Sequence, residues 1–339
     1  MAVLVEREQA AKTQDLSNAF VNADRKKLPF TSAIRKGSKP VNVQLEYAVE
    51  KYATPTTVGV PDEADPGTYE DPSAGDANLY ARLQTWERAA KLGGLAISTT
   101  NQAGITPRNV MAVKIAKKLV ELKRDVETTF LGDNDSAAQT SGVNANATRG
   151  LLKWVSSTQQ GHYPVDLNYL TPATSIDATT VTADYKDSTI TSVLKSMYDQ
   201  HGDSEADIDI WCGSTWKNAL GHSMTFYNRT ETNMVNVRSW NQQAGDNVIL
   251  GKVDVLETDF GMAKVRVSNF INTLGDPTSA ASKLLAVAVP NEMIEARFSE
   301  QPNKQDLAKT GRGEKFLVTA TGALVVLNPL PFGKWTPAS

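Results

Sequence analysis

The residues able to do chemistry are few and poorly spaced for it. The three histidines, His162, His201 and His222, fall in neither H-x-x-x-H nor H-E-x-x-H spacing, so no zinc hydrolase site is written in the chain. A serine hydrolase would need a G-x-S-x-G elbow and a phosphate loop would need G-x-x-x-x-G-K-[ST]; neither occurs. The glycine-rich run from Lys309 to Lys315 has the wrong spacing and reads as a turn before a strand. Asp125 and Glu127 lie two apart in a helical segment, on different faces, which suits no general acid/base couple. Cys212 follows Trp211 and reads as core filling. A single cysteine also excludes an internal disulfide and a multi-cysteine metal site. Two charge runs remain. Arg25, Lys26, Lys27, Arg35, Lys36 and Lys39 are six bases with no acid among them, and Asp62, Glu63, Asp65, Glu70, Asp71 and Asp76 are six acids with no base among them. The acids would suit a divalent ion, but D-x-D-x-D-G spacing is absent. No catalytic, cofactor or metal residue is assigned.

The elements that would carry these runs fit a folded chain. Of 339 residues, 40% are hydrophobic and 22% charged, enough for one elaborated domain or two moderate ones. The net charge of −3 argues against sequence-specific wrapping of nucleic acid, so any DNA contact is expected to be local. The start lacks a basic n-region and a long apolar stretch, and no window holds 18 consecutive apolar residues. A soluble protein of a reducing cytoplasm, with no membrane partner, is expected.

Residues 1–40 have little apolar periodicity and read as an extended arm. Val41, Val43, Leu45, Tyr47 and Val49 alternate, which predicts a strand. The acidic, proline- and glycine-containing stretch 54–78 follows as a long loop, and 79–99 returns from it. A strand, a tip and a return describe a projecting hairpin. The clearest element is a helix over 107–131. Thr106 and Pro107 suit its start and Gly132 its stop, and Met111, Ile115, Leu119, Leu122, Val126 and Phe130 form one stripe. At 1.5 Å per residue it would be roughly 37 Å long. Beyond it, GLLKWV reads as a short buried strand or turn, 162–183 as irregular, and 188–200 as a helix with Ile190, Val193, Leu194 and Met197 inward, ended by Gly202. Strands are predicted at ADIDIWCG, VILGKVDVLET, AKVRVSNF and KLLAVAVP, and a helical segment at STWKNALGHSM. EKFLVTATGALVVLNP reads as two strands joined at Thr321-Gly322. The class is α+β.

This order resembles that of the major capsid (major head) proteins of tailed double-stranded DNA bacteriophages, the Hong Kong 97-type fold, in its podovirus-like branch. Two segments carry the resemblance at residue level. ELKRDVETTFL, a small-residue loop and RGLLKWV are similar to the family's E-L-x-R-D-[IV]-E-x-x-x-L followed by R-x-x-x-G-L-x-x-W-[IV]. Glu121, Leu122, Arg124, Asp125, Val126, Glu127, Leu131, Arg149 and Trp154 stand in those places, with Gly150 directly after Arg149. LAKTGRGEK is similar to L-A-K-T-G-D-x-x-K, with Arg312 where an acid is usual.

The resemblance implies a fold divided as follows: N-terminal arm 1–40, extended loop 41–100, peripheral domain 101–175 with spine helix 107–131, axial domain 176–289, and return strands 290–339 mostly in the peripheral domain. It implies a shell protein and not an enzyme, with no cofactor. Its partners would be itself in pentamers and hexamers, a portal, a scaffolding or cement protein, and packaged double-stranded DNA through non-specific contact. It would be made in the bacterial cytoplasm and end in the virion. Independently, the basic run Arg25–Lys39 and the acidic run Asp62–Asp76 are expected to meet between subunits, the bland alternative being two solvated segments. The other readings kept open are an encapsulin-type compartment shell, told apart by cargo in place of DNA, a phage-borne hydrolase, and a tail or decoration protein.

Overall fold

The computed structural model describes residues 27–59, 62, 71, 73–94, 110–140, 142, 144–178, 187–201, 207–223, 240–241, 248–249, 254–273, 275–309 and 311–336. In chain order the elements are α1 (Pro29–Ala33), β1 (Arg35–Lys36), β2 (Gln44–Val49), β3 (Ala77–Arg82), β4 (Gln84–Leu92), α2 (Val110–Phe130), α3 (Leu151–Trp154), β5 (Ile176–Asp177), α4 (Asp187–His201), β6 (Ile208–Cys212), α5 (Ser214–Ser223), β7 (Trp240–Asn241), β8 (Val248–Ile249), β9 (Val255–Thr258), β10 (Gly261–Val267), α6 (Ala280–Lys283), β11 (Ala286–Pro290), β12 (Ile294–Leu307), β13 (Glu314–Val326) and β14 (Gly333–Trp335). The α+β class expected from the sequence is what forms.

Two sheets organise the chain. One has the order β1-β12-β13-β4, and the other is a mixed six-stranded sheet, β5-β14-β11-β6-β10-β9. The central strands β6 and β11 are buried along their whole length. They are covered on both faces, which is why β11 is an apolar run and β6 is apolar but for Asp209, which pairs with Arg266 at 3.0 Å. Ile210, Cys212, Ala286 and Ala288 face α4 and α5 in one core, whereas Trp211, Val287 and Val289 face a second core with α2, β12 and β13. The β6–β11 pair is thus the shared wall between the two.

Helix α2 follows its stripe. Leu122, Val126 and Phe130 are buried, and Met111, Ile115 and Leu119 pack against the same core. Its 21 residues span about 32 Å. The expected start at Thr106 and Pro107 lies outside the described residues, as does Gly202. The end at Gly132 works differently from a left-handed glycine stop, because Gly132 has no positive φ. Its carbonyl accepts from Leu152 N at 3.2 Å, and a Cβ there would press on the Asn134 and Asn272 side chains. Asn272 closes the helix by donating to Thr128 O at 2.7 Å. GLLKWV proves to be the one-turn helix α3, buried as expected.

Two further expectations change. β2 begins at Gln44, and Val41 and Val43 stand 102% and 45% exposed outside it. The turn at Thr321-Gly322 is not formed, because β13 runs unbroken through both residues. Gly322 is needed for space: a Cβ there would lie 2.6 Å from the Phe298 ring, which lies over the strand beside a register shift in β12. β1 covers β12 only at Glu295 and Ala296. Beyond that, Pro302 and two register shifts roughen the open edge, which hinders strand addition there.

The closest backbone approach explains a motif glycine. Gly150 has φ −79°, open to any residue, but a Cβ would collide with the Gly132 carbonyl. Gly150→Ala is expected to lower stability by about 1–3 kcal/mol, since rigid backbone must shift. Urea denaturation measures this, and an unchanged midpoint would mean that the junction of α2 and α3 yields freely.

Candidate functional site

The functional geometry is built on buried charge. Glu127 lies on α2 and is fully buried. Its Oε1 accepts from Phe30 N at 2.7 Å and its Oε2 from Thr31 N at 2.8 Å. These are free amides of the first turn of α1, where Pro29 brings no N–H of its own. One carboxylate therefore caps the arm helix and fixes it to the spine, while Phe30 packs edge-on against Trp211 at 5.2 Å. Burial pushes the Glu127 carboxyl above the ordinary value, and the hydrogen bonds from Thr31 and Phe30 pull it part of the way back. The arm then adds β1 in parallel to β12, and Arg35 meets Glu295 at 3.3 Å.

The neighbouring motif residues serve the same frame. Asp125 holds Arg88 of β4 through two bonds of 2.6 and 2.7 Å, and this pairing keeps the Arg88 guanidinium above its usual pKa. Lys118 and Glu121 pair at 2.6 Å along the helix, and Arg124 lies 5.9 Å from the Phe270 ring. A cleft of about 490 Å³ opens there, with Arg88, Asp125 and Lys283 among its lining. Arg149 is buried after the small-residue loop. Its Nε donates to Asp135 at 2.9 Å, its Nη2 to the carbonyls of His162 and, at 3.0 Å, Tyr163, and its plane lies 4.7 Å from the Trp154 ring. Sequence similarity placed Arg149 and Trp154 in one motif, and the guanidinium over the ring is a contact that joins them.

The charge runs are divided. Lys27, Arg35, Lys36 and Lys39 are exposed, as are Asp62, Asp71 and Asp76; Arg25, Lys26, Glu63, Asp65 and Glu70 lie outside the described residues. Among the described residues no base of the first run pairs with an acid of the second, and the partner of Arg35 is Glu295. Asp71 is turned inward on its own loop, accepting from Ser73 N and Oγ at 2.9 and 2.7 Å, which lowers its pKa. In the reaching tip beyond β2 every residue from 50 to 59 is exposed, including Tyr52 at 90% and Val58 at 79%. Such apolar side chains held out on a hairpin suit contact with another surface. Sequence patterning did not single them out, although an aromatic in an otherwise polar loop was the available signal.

Among the described residues, Ser136 Oγ lies 3.1 Å from His162 Nδ1, a spacing that a nucleophile pair would have. That serine is buried and also donates to the His162 carbonyl, which makes it a loop clamp. Burial pushes the Cys212 thiol up to about 12, far from thiolate chemistry. Among the described residues no group of three His, Cys, Asp or Glu is placed to hold a metal, and no helix is long and apolar enough to cross a membrane.

Comparison with known proteins agrees with this geometry. The profile of the family described as SU10 major capsid protein matches residues 5–338. No curated protein matches in sequence. Among solved structures, one from Mycobacterium phage Bobi superposes with TM-score 0.61 at 10% identity, covering 100% of both chains. The capsid structure of the cyanophage P-SCSP1u gives TM-score 0.61 at 10% identity over 99% of this chain and 97% of its own. The capsid of a native GTA particle gives 0.61 at 9% over 98% of each. At such identities the likeness is one of fold.

Glu127 generates a pH prediction. In the folded chain it binds its proton at higher pH than in the unfolded chain, so across that interval the folded state holds more protons and stability falls as pH rises. Relative to Glu127→Gln, the natural chain should lose stability on going upward from the ordinary carboxylate range through the raised value. Denaturant midpoints of both proteins against pH measure this, and parallel profiles would contradict a buried, shifted carboxyl.

Proposed function

The chain belongs to the SU10 major capsid protein family, and from that premise we propose how this major capsid protein builds its shell. The protein is the structural unit of an icosahedral phage head and resides in the virion. In our reading its work is structural and not catalytic, its copies group as pentamers and hexamers, and it is made in the host cytoplasm. The core with α2, β4, β12 and β13 serves as the peripheral domain, and the core with α4 and α5 as the axial one. Portal, scaffolding or cement proteins and packaged double-stranded DNA are its further partners, the DNA through phosphate contacts without sequence readout.

The observation that carries the assembly reading is the exposed stretch 50–59 on a hairpin whose base is fixed to the body. A shell needs heterologous contacts repeated at slightly different angles. A rigid body with a reaching tip supplies them, and several modest contacts per subunit add through avidity. The bases at Lys27, Lys36 and Lys39 and the acids at Asp62 and Asp76 face solvent and are exposed to meet across subunits, whereas Arg35 is engaged with Glu295 and Asp71 with Ser73. Exposed pairs contribute only ~0–1 kcal/mol each, so their effect is on register and encounter.

Electron microscopy of the purified chain at low and high salt tests this. Closed shells or rings of five and six are expected. A monomer at every salt and concentration, persisting when the other head proteins are supplied, would contradict it. Neutralising Asp62, Glu63, Asp65, Glu70, Asp71 and Asp76 to amides is expected to weaken assembly and flatten its salt dependence. Unchanged assembly would place the contacts elsewhere.

A further inference from the structure

The hairpin β2–β3 is a separate two-stranded sheet, not part of the sheet containing β4. Its direction therefore depends on the one-residue link through Leu83 into β4 and on side-chain contacts at its base. On the inner face Leu45, Ala81 and Leu83 rest on Ala323 and Val325, and Tyr47 Oη donates to Val326 O at 2.6 Å. The outer face, by the alternation of the strands, carries Gln44, Tyr80 and Arg82. All three meet one residue of the body. Tyr163 stacks on Tyr80 with centroids 5.2 Å apart and planes 26° apart. Its hydroxyl donates to Gln44 Oε1 at 2.6 Å and accepts from Arg82 Nη1 at 3.2 Å. The hairpin base is gripped between two jaws.

The outer jaw is held under strain. Tyr163 is the one non-glycine residue with positive φ among the described residues, at 50°. It also precedes Pro164, a position that favours extended backbone with negative φ. A bulky side chain in this region stays there only when its surroundings hold it. What holds it is Arg149, whose Nη2 donates to the carbonyls of both His162 and Tyr163. Arg149 is itself fixed by Asp135 and by Trp154. The buried cation after the spine helix thus reaches the hairpin through one strained tyrosine.

We propose that Tyr163, set by Arg149, is a positioning residue for assembly: it fixes the angle at which the hairpin leaves the body and so where the tip 50–59 meets a neighbouring copy. The proposal rests on the shell reading for its second half only. The clamp itself is a property of the single chain.

The test uses the full chain with Tyr163→Ala and Tyr163→Phe, following hydrogen–deuterium exchange of the unassembled protein and the shells it forms. With Tyr163→Ala, exchange over 44–49 and 77–82 should rise about tenfold while 110–130 stays unchanged, and assembled particles should become mixed in size or form. Tyr163→Phe keeps the ring and loses the hydroxyl bonds, so a smaller rise in the same two strands is expected; it serves also if the alanine variant does not fold. Unchanged exchange in the hairpin overturns the clamp, and so does an equal rise in the spine helix, which would signal general destabilisation. A loosened hairpin with shells as uniform as those of the natural chain overturns the steering role. Failure of the natural chain to assemble would count against the shell reading alone, leaving exchange to decide the clamp.

Discussion

A charge shut away from water must be given hydrogen-bond partners, and two such charges organise this chain. Glu127 and Arg149 are buried without facing one another. Each is met by backbone groups of another segment. Glu127 takes the amides of Phe30 and Thr31, and Arg149 takes the carbonyls of His162 and Tyr163. Leaving a buried polar group unsatisfied costs about 1–3 kcal/mol, and more when it is charged. The arm and the loop behind the hairpin are thereby compelled to dock in one way. Burial of charge is weak support for stability as such, but it selects one arrangement over its competitors.

The rest of the frame follows from that selection. With the arm fixed on α2, its next residues enter the sheet as β1 and carry Arg35 to Glu295. With Tyr163 fixed, the hairpin base is held from both faces, and the stretch 50–59 beyond it is left uncovered. A shell subunit needs this division between a body that keeps its shape and parts that reach. The two cores sharing β6 and β11 supply the stiffness, since close-packed interiors deform little.

Legibility in the sequence divided along the same line. Periodicity reports which face of an element is buried, and so the stripes of α2 and α4 and the apolar run of β11 could be read directly. It does not report the partner. Nothing near Glu127 in sequence indicates that it caps a helix about a hundred residues earlier, or near Arg35 that it meets Glu295. Glycine is ambiguous in sequence, because it serves both turns and close approaches. Gly322 reads as a turn and is a flat place for Phe298, and Gly132 reads as a left-handed stop and leaves space for the Asn134 and Asn272 side chains. The likeness to a capsid family identified Arg149 and Trp154 as fixtures without giving their purpose, which is a stacked cation holding a loop. Tyr163 carried no local signal at all, since its conformation contradicts what a residue before proline prefers.

The central claim is that buried charge fixes the arm and the hairpin base to their own body, so that the free tip makes the contacts between copies. A cryo-electron microscopy reconstruction of the assembled shell at side-chain detail tests it most directly. The account predicts residues 27–37 on their own Glu127 in every copy, and the stretch 50–59, with Tyr52 and Val58, covered by a neighbouring copy. An arm detached from its own Glu127, or a stretch 50–59 facing solvent throughout the shell, would contradict it.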